Sequence, residues 1–278
     1  MKAVLGIDLG GSTTKIAGLA PDGALIGVLQ IKASDQITSV YGAIGNFLQT
    51  YRLELKDVTK IILTGVGASF ITENIYCIPT YRMVEFKAVG HGGCKLAGLD
   101  KALVVSMGTG TAFIRVSGND LKHLGGSGIG GGTLVGLSVG LINENDISKV
   151  AMLAENGDSN NVDLTIQDIS KNTIPNLPPY ATAANLGKMK HNPAKADVAI
   201  GLINLIFQVI GMMAVFACEG SPIKDIILTG TLTTLKQAQS VFDAVGRLHG
   251  LNFIIPENAV FAGAIGAAAA DDSDLSLI

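Results

Sequence analysis

Thirty-five of the 278 residues are glycine, well above the roughly 7% that is ordinary. They gather rather than scatter: Gly10-Gly11, Gly108-Thr109-Gly110 and a run from Gly125 to Gly132. The first two follow short apolar runs, Ala3–Ile7 and Ala102–Ser106. Glycine is needed where backbone turns sharply or approaches something closely, so these clusters mark strand ends that serve as turns or cradles.

The pattern around the clusters occurs twice. Ala3–Ile7 reads as a strand, the Gly10-Gly11-Ser12-Thr13-Thr14 stretch as a turn, and Lys15–Leu19 as a second strand. Pro21-Asp22-Gly23 makes a hairpin turn into a third strand, Leu25–Ile31. A helix from about Ser34 to Tyr51 follows. The second copy reads Ala102–Ser106, then Gly108-Thr109-Gly110-Thr111, Ala112–Ser117, a Gly118-Asn119 turn, a third strand and a helix from near Thr133. Each copy later returns a buried strand: Lys60-Ile61-Ile62-Leu63-Thr64-Gly65 and Asp225-Ile226-Ile227-Leu228-Thr229-Gly230. Two such modules imply an α/β protein of two lobes with a cleft between them. We expect residues 1–96 to form the first lobe and 97–278 the second, with a C-terminal helix returning to the first. The Asn- and Pro-rich stretch 155–179 reads as a loop-rich insertion.

Composition narrows the function. Apolar residues make up 48% and charged residues 15%, which excludes disorder. Twenty Lys and Arg against 23 acids, with no basic block, argue against a nucleic-acid partner. Cys77, Cys94 and Cys218 are sparse, with no CxxC, which argues against a disulfide framework or a Cys-rich metal site. No secretory signal is visible, and a cytoplasmic protein is expected. Residues 198–218 are uncharged and long enough to span a membrane. Gly201, Asn204, Gln208 and Gly211 interrupt them and Asp197 can cap their start, so they read as a buried or subunit-interface helix, with no membrane partner.

A strand ending in Asp before a small-residue turn suits phosphate and metal chemistry. Backbone N–H groups of Gly10, Gly11, Ser12 and Thr13 can meet an anion. Asp8 can hold Mg2+ through water, and Lys15 can add positive charge near a transferring phosphoryl group. Gly108, Thr109, Gly110 and Thr111 repeat that chemistry in the second lobe. Gly130, Gly131, Gly132 and Thr133 open a helix whose N–H groups would point at phosphate. The segment from Gly126 to Gly131 formally spells G-x-G-x-x-G, but a mid-chain hairpin precedes it, unlike a dinucleotide-binding βαβ unit. Neither a Walker A motif nor the protein-kinase signatures are present. Glu85, between apolar neighbours, is a candidate general base for transfer to a hydroxyl; His91 and His123 are rivals.

These residues together resemble the type II pantothenate kinases, members of the superfamily of acetate and sugar kinases, Hsp70 and actin. The resemblance rests on Gly6-Ile7-Asp8 with its Gly-Gly turn and Lys15, on Leu63-Thr64-Gly65, and on Val84-Glu85-Phe86. It continues through Gly108-Thr109-Gly110-Thr111, Gly130-Gly131-Gly132, Gly157-Asp158, Asp163-Leu164 and Thr182-Ala183-Ala184-Asn185-Leu186-Gly187. It ends with Glu257-Asn258 and Ala262-Gly263-Ala264-Ile265-Gly266-Ala267. The resemblance implies ribonuclease H-like, actin-like ATPase lobes with mixed sheets. It implies ATP- and Mg2+-dependent phosphorylation of pantothenate at its 4′-hydroxyl, the first step toward coenzyme A, by a homodimer joined through second-lobe helices. It makes Glu85 the base and Asp8 the metal holder, with Lys15 near the phosphates. The 130–133 segment would lie on the phosphates and Gly230 and Thr231 beside the adenosine, while Thr109 and Thr111 face the acceptor or the phosphoryl group. The family's acceptor-contacting arginine is here His123, preceded by Lys122, so a related alcohol such as pantetheine is an alternative acceptor. An activator ATPase of the 2-hydroxyacyl-CoA dehydratase kind has a similar start, but needs cluster-holding cysteines.

Overall fold

The computed structural model describes residues 2–11, 13–32, 35–172, 174–175 and 177–278. The first copy of the repeat forms β1 (Ala3–Leu9), β2 (Thr13–Leu19), β3 (Leu25–Lys32), α1 (Gln36–Tyr51), β4 (Val58–Thr64) and β5 (Thr80–Met83). Helix α2 (Glu85–Ala97) leads into the second copy: β6 (Lys101–Met107), β7 (Thr111–Ser117), β8 (Asp120–Ser127), α3 (Gly131–Ile142) and α4 (Ile147–Ala154). The insertion holds β9 (Leu164–Thr165), α5 (Ile166–Ile169) and β10 (Thr182–Ala184). After it come α6 (Lys195–Cys218), β11 (Asp225–Thr229), α7 (Gln237–His249), β12 (Asn252–Ile254), α8 (Ala262–Ala268) and β13 (Leu275–Leu277).

The two main sheets repeat one topology. Their orders are β13-β5-β4-β1-β2-β3 and β12-β11-β6-β7-β8. In each, the first strand pairs antiparallel with the second and parallel with the returning strand, β1 with β4 and β6 with β11. The glycine ending each returning strand is demanded twice over. Gly65 and Gly230 have φ of 85° and 91°, and an added Cβ would lie 2.7 Å from the Leu9 carbonyl oxygen and 2.5 Å from that of Met107. A side chain fits neither the dihedral nor the space.

Strand alternation sorts residues between layers. Leu5, Ile7 and Leu9 join the core against α1 (Val40, Ala43, Ile44, Phe47). Val4, Gly6 and Asp8 point the other way, toward α8. In the second sheet Leu103, Val105 and Met107 meet α6, while Ala102 and Val104 belong to the cluster that includes Val89 and Cys94 of α2. The order of layers is thus α1, sheet, α8 with α2, sheet, α6. The central layer is a crossing of two glycine-bearing helices. A Cβ on Gly92 would collide with the Ala262 carbonyl, one on Gly266 with that of Ala88, and one on Gly6 of β1 with that of Ala264. Backbone lies on backbone there.

Several local expectations need correcting. Helix α1 begins at Gln36, capped by Asp35, whose carboxylate accepts from the Thr38 N–H at 2.7 Å; Ser34 lies outside the described residues. Helix α2 begins at Glu85 itself, and α3 at Gly131 rather than Thr133. Asp197 does not cap α6, which starts at Lys195; its carboxylate instead accepts from the Asp158 N–H at 2.8 Å and the Asn161 amide at 2.9 Å. The polar interruptions of α6 have a structural use. Asn204 donates to the buried Asp163 (3.3 Å), and Gln208 donates to Thr182 (3.0 Å) and accepts from Asn185 (2.9 Å), fastening the insertion to the helix. Val198, Leu202, Ile206 and Ile210 of α6 are fully enclosed in the second-lobe core.

Gly92→Ala forces α2 away from α8 and should cost roughly 1–3 kcal/mol or more, the scale of overpacking. Gly136→Ala, in α3 where an added methyl meets nothing, should gain about 0.5–1 kcal/mol from helix propensity. Urea denaturation of the two variants checks the contrast; equal shifts would refute the backbone crossing.

Candidate active site

Asp8 is the next-to-last residue of β1, on the face that α8 covers. Its neighbours are stripped of side chains: a Cβ on Gly65 would stand 2.6 Å from Asp8 Oδ1, and one on Gly263 of α8 3.2 Å from Oδ2. The antiparallel register puts Lys15 of β2 directly opposite. Lys15 Nζ lies 3.8 Å from Asp8 Oδ2, and the two side chains are 12% and 16% exposed. Burial pushes the Asp8 carboxyl above its ordinary range, with Lys15 pulling the other way.

Glu85 is the first residue of α2, reached through β5, which pairs with β4. Withdrawal from water raises its pKa first, then the charge of Asp8, while Lys15 opposes both. The three ionisable groups therefore form one electrostatic unit. Across from them lies the loop between β6 and β7, folded tightly by the Gly108 N–H donating to the Gly110 carbonyl at 2.9 Å. Together these elements line a cleft of about 530 Å3.

That cleft collects most of the residues that the sequence singled out. Asp8, Gly10, Gly11, Thr13, Lys15, Glu85, Gly108, Thr109, Gly110, Thr111, His123, Gly230 and Thr231 all line it. Ser12 lies outside the described residues. The structure keeps other candidates back. Lys122 is exposed and absent from the lining, because strand alternation sends it to the face opposite His123. Gly130, Gly131, Gly132 and Thr133 sit behind the loop: the N–H groups of Gly131 and Gly132 donate to the Gly108 and Thr109 carbonyls, both at 2.9 Å. In this conformation those amides hold the loop in shape rather than face the cleft. The Thr111 hydroxyl is likewise committed, to the Ile129 carbonyl at 2.8 Å. His91 lies in a different cavity, beside Cys94, Lys95 and Asp274.

Two lining features escaped the sequence reading. Phe86 stacks flat on His123, with centroids 3.7 Å apart and planes 8° apart; the pair spans the cleft from α2 to β8. Ser106 occupies in β6 the place that Asp8 occupies in β1, two residues before the glycine, and also lines the cleft. Aligning the two repeats residue by residue would have found it.

The chain is similar to several known proteins. A family model described as Fumble matches residues 99–242. The chain is 30% identical over 275 residues to a type II pantothenate kinase of Staphylococcus aureus (strain USA300), covering 95% of this chain and 97% of that protein. Among solved structures it resembles component A of the (R)-2-hydroxyglutaryl-CoA dehydratase of Acidaminococcus fermentans (TM-score 0.70, 15% identity, 96% of each chain). It also resembles the activator of the 2-hydroxyisocaproyl-CoA dehydratase of Clostridium difficile with bound ADPNP (TM-score 0.67, 13% identity, 96% of this chain and 92% of that one). The fold is the two-lobe α/β fold of the actin-like ATPases and sugar kinases.

The raised pKa of Asp8 fixes the sign of a pH effect. The folded ligand-free protein holds its proton where the unfolded chain, near the ordinary Asp value of 3.8, has lost it. Ionised Asp8 thus detracts from stability as pH rises through that window. The melting temperature of Asp8→Asn, relative to the parent, should become more favourable as pH rises above the ordinary Asp value of 3.8. A difference that is flat or falls with pH would show that Asp8 is not desolvated.

Proposed function

Because the chain belongs to the type II pantothenate kinase (Fumble) family, we propose that it transfers the γ-phosphoryl group of ATP to the 4′-hydroxyl of pantothenate. The observation that carries this reading is the position of Glu85, on the rim of the cleft beside Asp8 and Lys15 and opposite the 108–110 loop. Its raised pKa makes it a stronger proton acceptor than an ordinary carboxylate, which suits it to take the acceptor's hydroxyl proton. Lys15 places a positive charge where a transferring phosphoryl group would carry negative charge. The backbone of Gly10-Gly11 and of Gly108-Thr109-Gly110 would hold the polyphosphate from the two lobes.

The donor set at Asp8 fits Mg2+. A desolvated carboxylate with one lysine 3.8 Å away is undercompensated, and Mg2+ commonly takes one or two carboxylates, its other positions being water and phosphate oxygens. When bound, it would neutralise charge on the phosphates while Asp8 holds it.

The acceptor end falls to His123. Stacking on Phe86 fixes the plane of its ring. A histidine lacks the permanent charge and rigid fork of arginine, so a neutral relative of pantothenate, such as pantetheine, competes as acceptor in this reading. The dehydratase-activator reading gains no support from the cysteines: Cys77 is exposed in the first lobe, while Cys94 and Cys218 are buried in separate clusters. Burial pushes the Cys94 thiol up to about 11, far from the thiolate that a cluster requires. The outward side of α6, where Phe216 remains exposed, is the surface we assign to a second copy in a cytoplasmic homodimer.

ADP release measured over pantothenate, pantetheine and hexoses tests the proposal. Turnover should be restricted to the first two, and turnover with a hexose alone would refute the acceptor. Glu85→Gln should bind ATP as before and lose about a hundredfold or more in kcat, the scale of general-base help; normal turnover would remove Glu85 from the chemistry. His123→Arg should lower KM for pantothenate, and an unchanged KM would place the acceptor's grip elsewhere.

A further inference from the structure

The first turn of α2 is held in an unusual way. Val84 at its N-cap provides no side-chain cap. Val84, Glu85, Phe86 and Lys87 are all exposed, and burial of the helix starts at Ala88. Neither capping nor core packing therefore fixes the turn that bears Glu85. Uncapped and unburied, a first turn frays.

Two ties replace them. One is the Phe86–His123 stack across the cleft. The other comes from the segment after α8. Strand β13 pairs antiparallel with β5, placing Leu275 opposite Met83 and Ser276 opposite Arg82. This lays the Asp274 carboxylate along α2. Its Oδ1 lies 2.6 Å from Lys87 Nζ and its Oδ2 3.6 Å from His91 Nε2. Lys87 and His91 are four residues apart, on one face of the helix. A carboxylate beside a helix start also suits the helix dipole. Nearby, Asp272 meets Lys60 of β4 at 2.6 Å, fastening the same segment a second time.

We propose that Asp274 is a positioning residue for Glu85: by holding Lys87 and His91 it fixes the start of α2 against β5, and so sets where the base stands in the cleft. The inference rests on the kinase reading for the role of Glu85, but the clamp itself does not. The pair is partly exposed, with Lys87 at 46% and Asp274 at 21%. Such a pair adds little to global stability, so its effect should appear in the geometry of the first turn and not in the melting temperature.

The test uses Asp274→Asn and Asp274→Glu in the full chain. Asp274→Asn should lower kcat about tenfold, since misplacing a catalytic group by an ångström costs up to about a hundredfold. It should leave KM for ATP within about twofold and the melting temperature nearly unchanged. Asp274→Glu should restore most of the loss. Adding Lys87→Met to Asp274→Asn should cost nothing more, as expected for partners in one contact. Amide hydrogen exchange should quicken at residues 85–88 and stay constant in α6. An unchanged kcat, a failed rescue by glutamate, or unaltered exchange at 85–88 would overturn the proposal. If the parent protein turns over no acceptor, the kinase reading falls, and the exchange measurement alone decides on the clamp.

Discussion

The backbone contact between α2 and α8 is the constraint on which the rest of this molecule depends. Gly92 and Gly266 let the helices meet without side chains between them, and Gly6 lets α8 lie on β1. The arrangement is costly in isolation. Gly92 and Gly266, the two glycines where the helices touch, are each about 1 kcal/mol worse than alanine in a helix. About 2 kcal/mol of helix propensity is therefore set against the crossing. Dispersion between closely packed backbones and weak Cα–H···O contacts must offset it. The same crossing sets the active site. Gly263 of α8 stands beside Asp8, and the first residue of α2 is Glu85, so the pitch of one helix on the other determines how far apart the two carboxylates stand.

That spacing decides the electrostatics of the cleft. Burial raises the pKa of both Asp8 and Glu85, the charge of Asp8 raises that of Glu85 further, and Lys15 is the cation that opposes both shifts. Two carboxylates against one lysine, with Asp8 largely closed to water, leave a deficit once both are ionised. An incoming cation repays that deficit, whereas a polyphosphate alone would deepen it. In the proposed kinase reading, the cleft would thus favour a nucleotide that brings its metal over one that does not. The amides of Gly131 and Gly132 add nothing to this balance, being bonded to the 108–110 loop.

Much of this was legible in the sequence, for identifiable reasons. Duplicated strands ending in Leu-Thr-Gly announce themselves by period and by glycine, and the glycine is obligatory because φ and space both demand it. Asp8, Lys15 and the 108–111 loop follow from their places at strand ends. Other features had no local signal. Asp197 looked like a cap because Asp commonly is one, yet its partners, Asp158 and Asn161, lie some 40 residues away in the sequence and belong to the insertion. The choice between Lys122 and His123 turns on which face of β8 each occupies. The irregular register beside Ile114, where Leu124 is skipped, shifts that alternation, and a bulge of that kind leaves little trace in composition. The Phe86–His123 stack joins residues 37 apart by geometry alone.

The duplication also explains what the two lobes do differently. Register places Lys15 opposite Asp8 in the first sheet and Ala112 opposite Ser106 in the second. Thr64 and Thr229 occupy matching places on the returning strands. One copy of the repeat thus bears an acid–base pair where the other has a hydroxyl and a methyl. An aspartate at 106 would add a third carboxylate to a cleft with a single lysine at its centre, and in the proposed reading would repel the phosphates held by the neighbouring glycine loop. Ser106 keeps a hydrogen-bonding group at that strand end without the charge. In that reading the charged copy supplies the ionic chemistry, and the neutral copy leaves room for the anion.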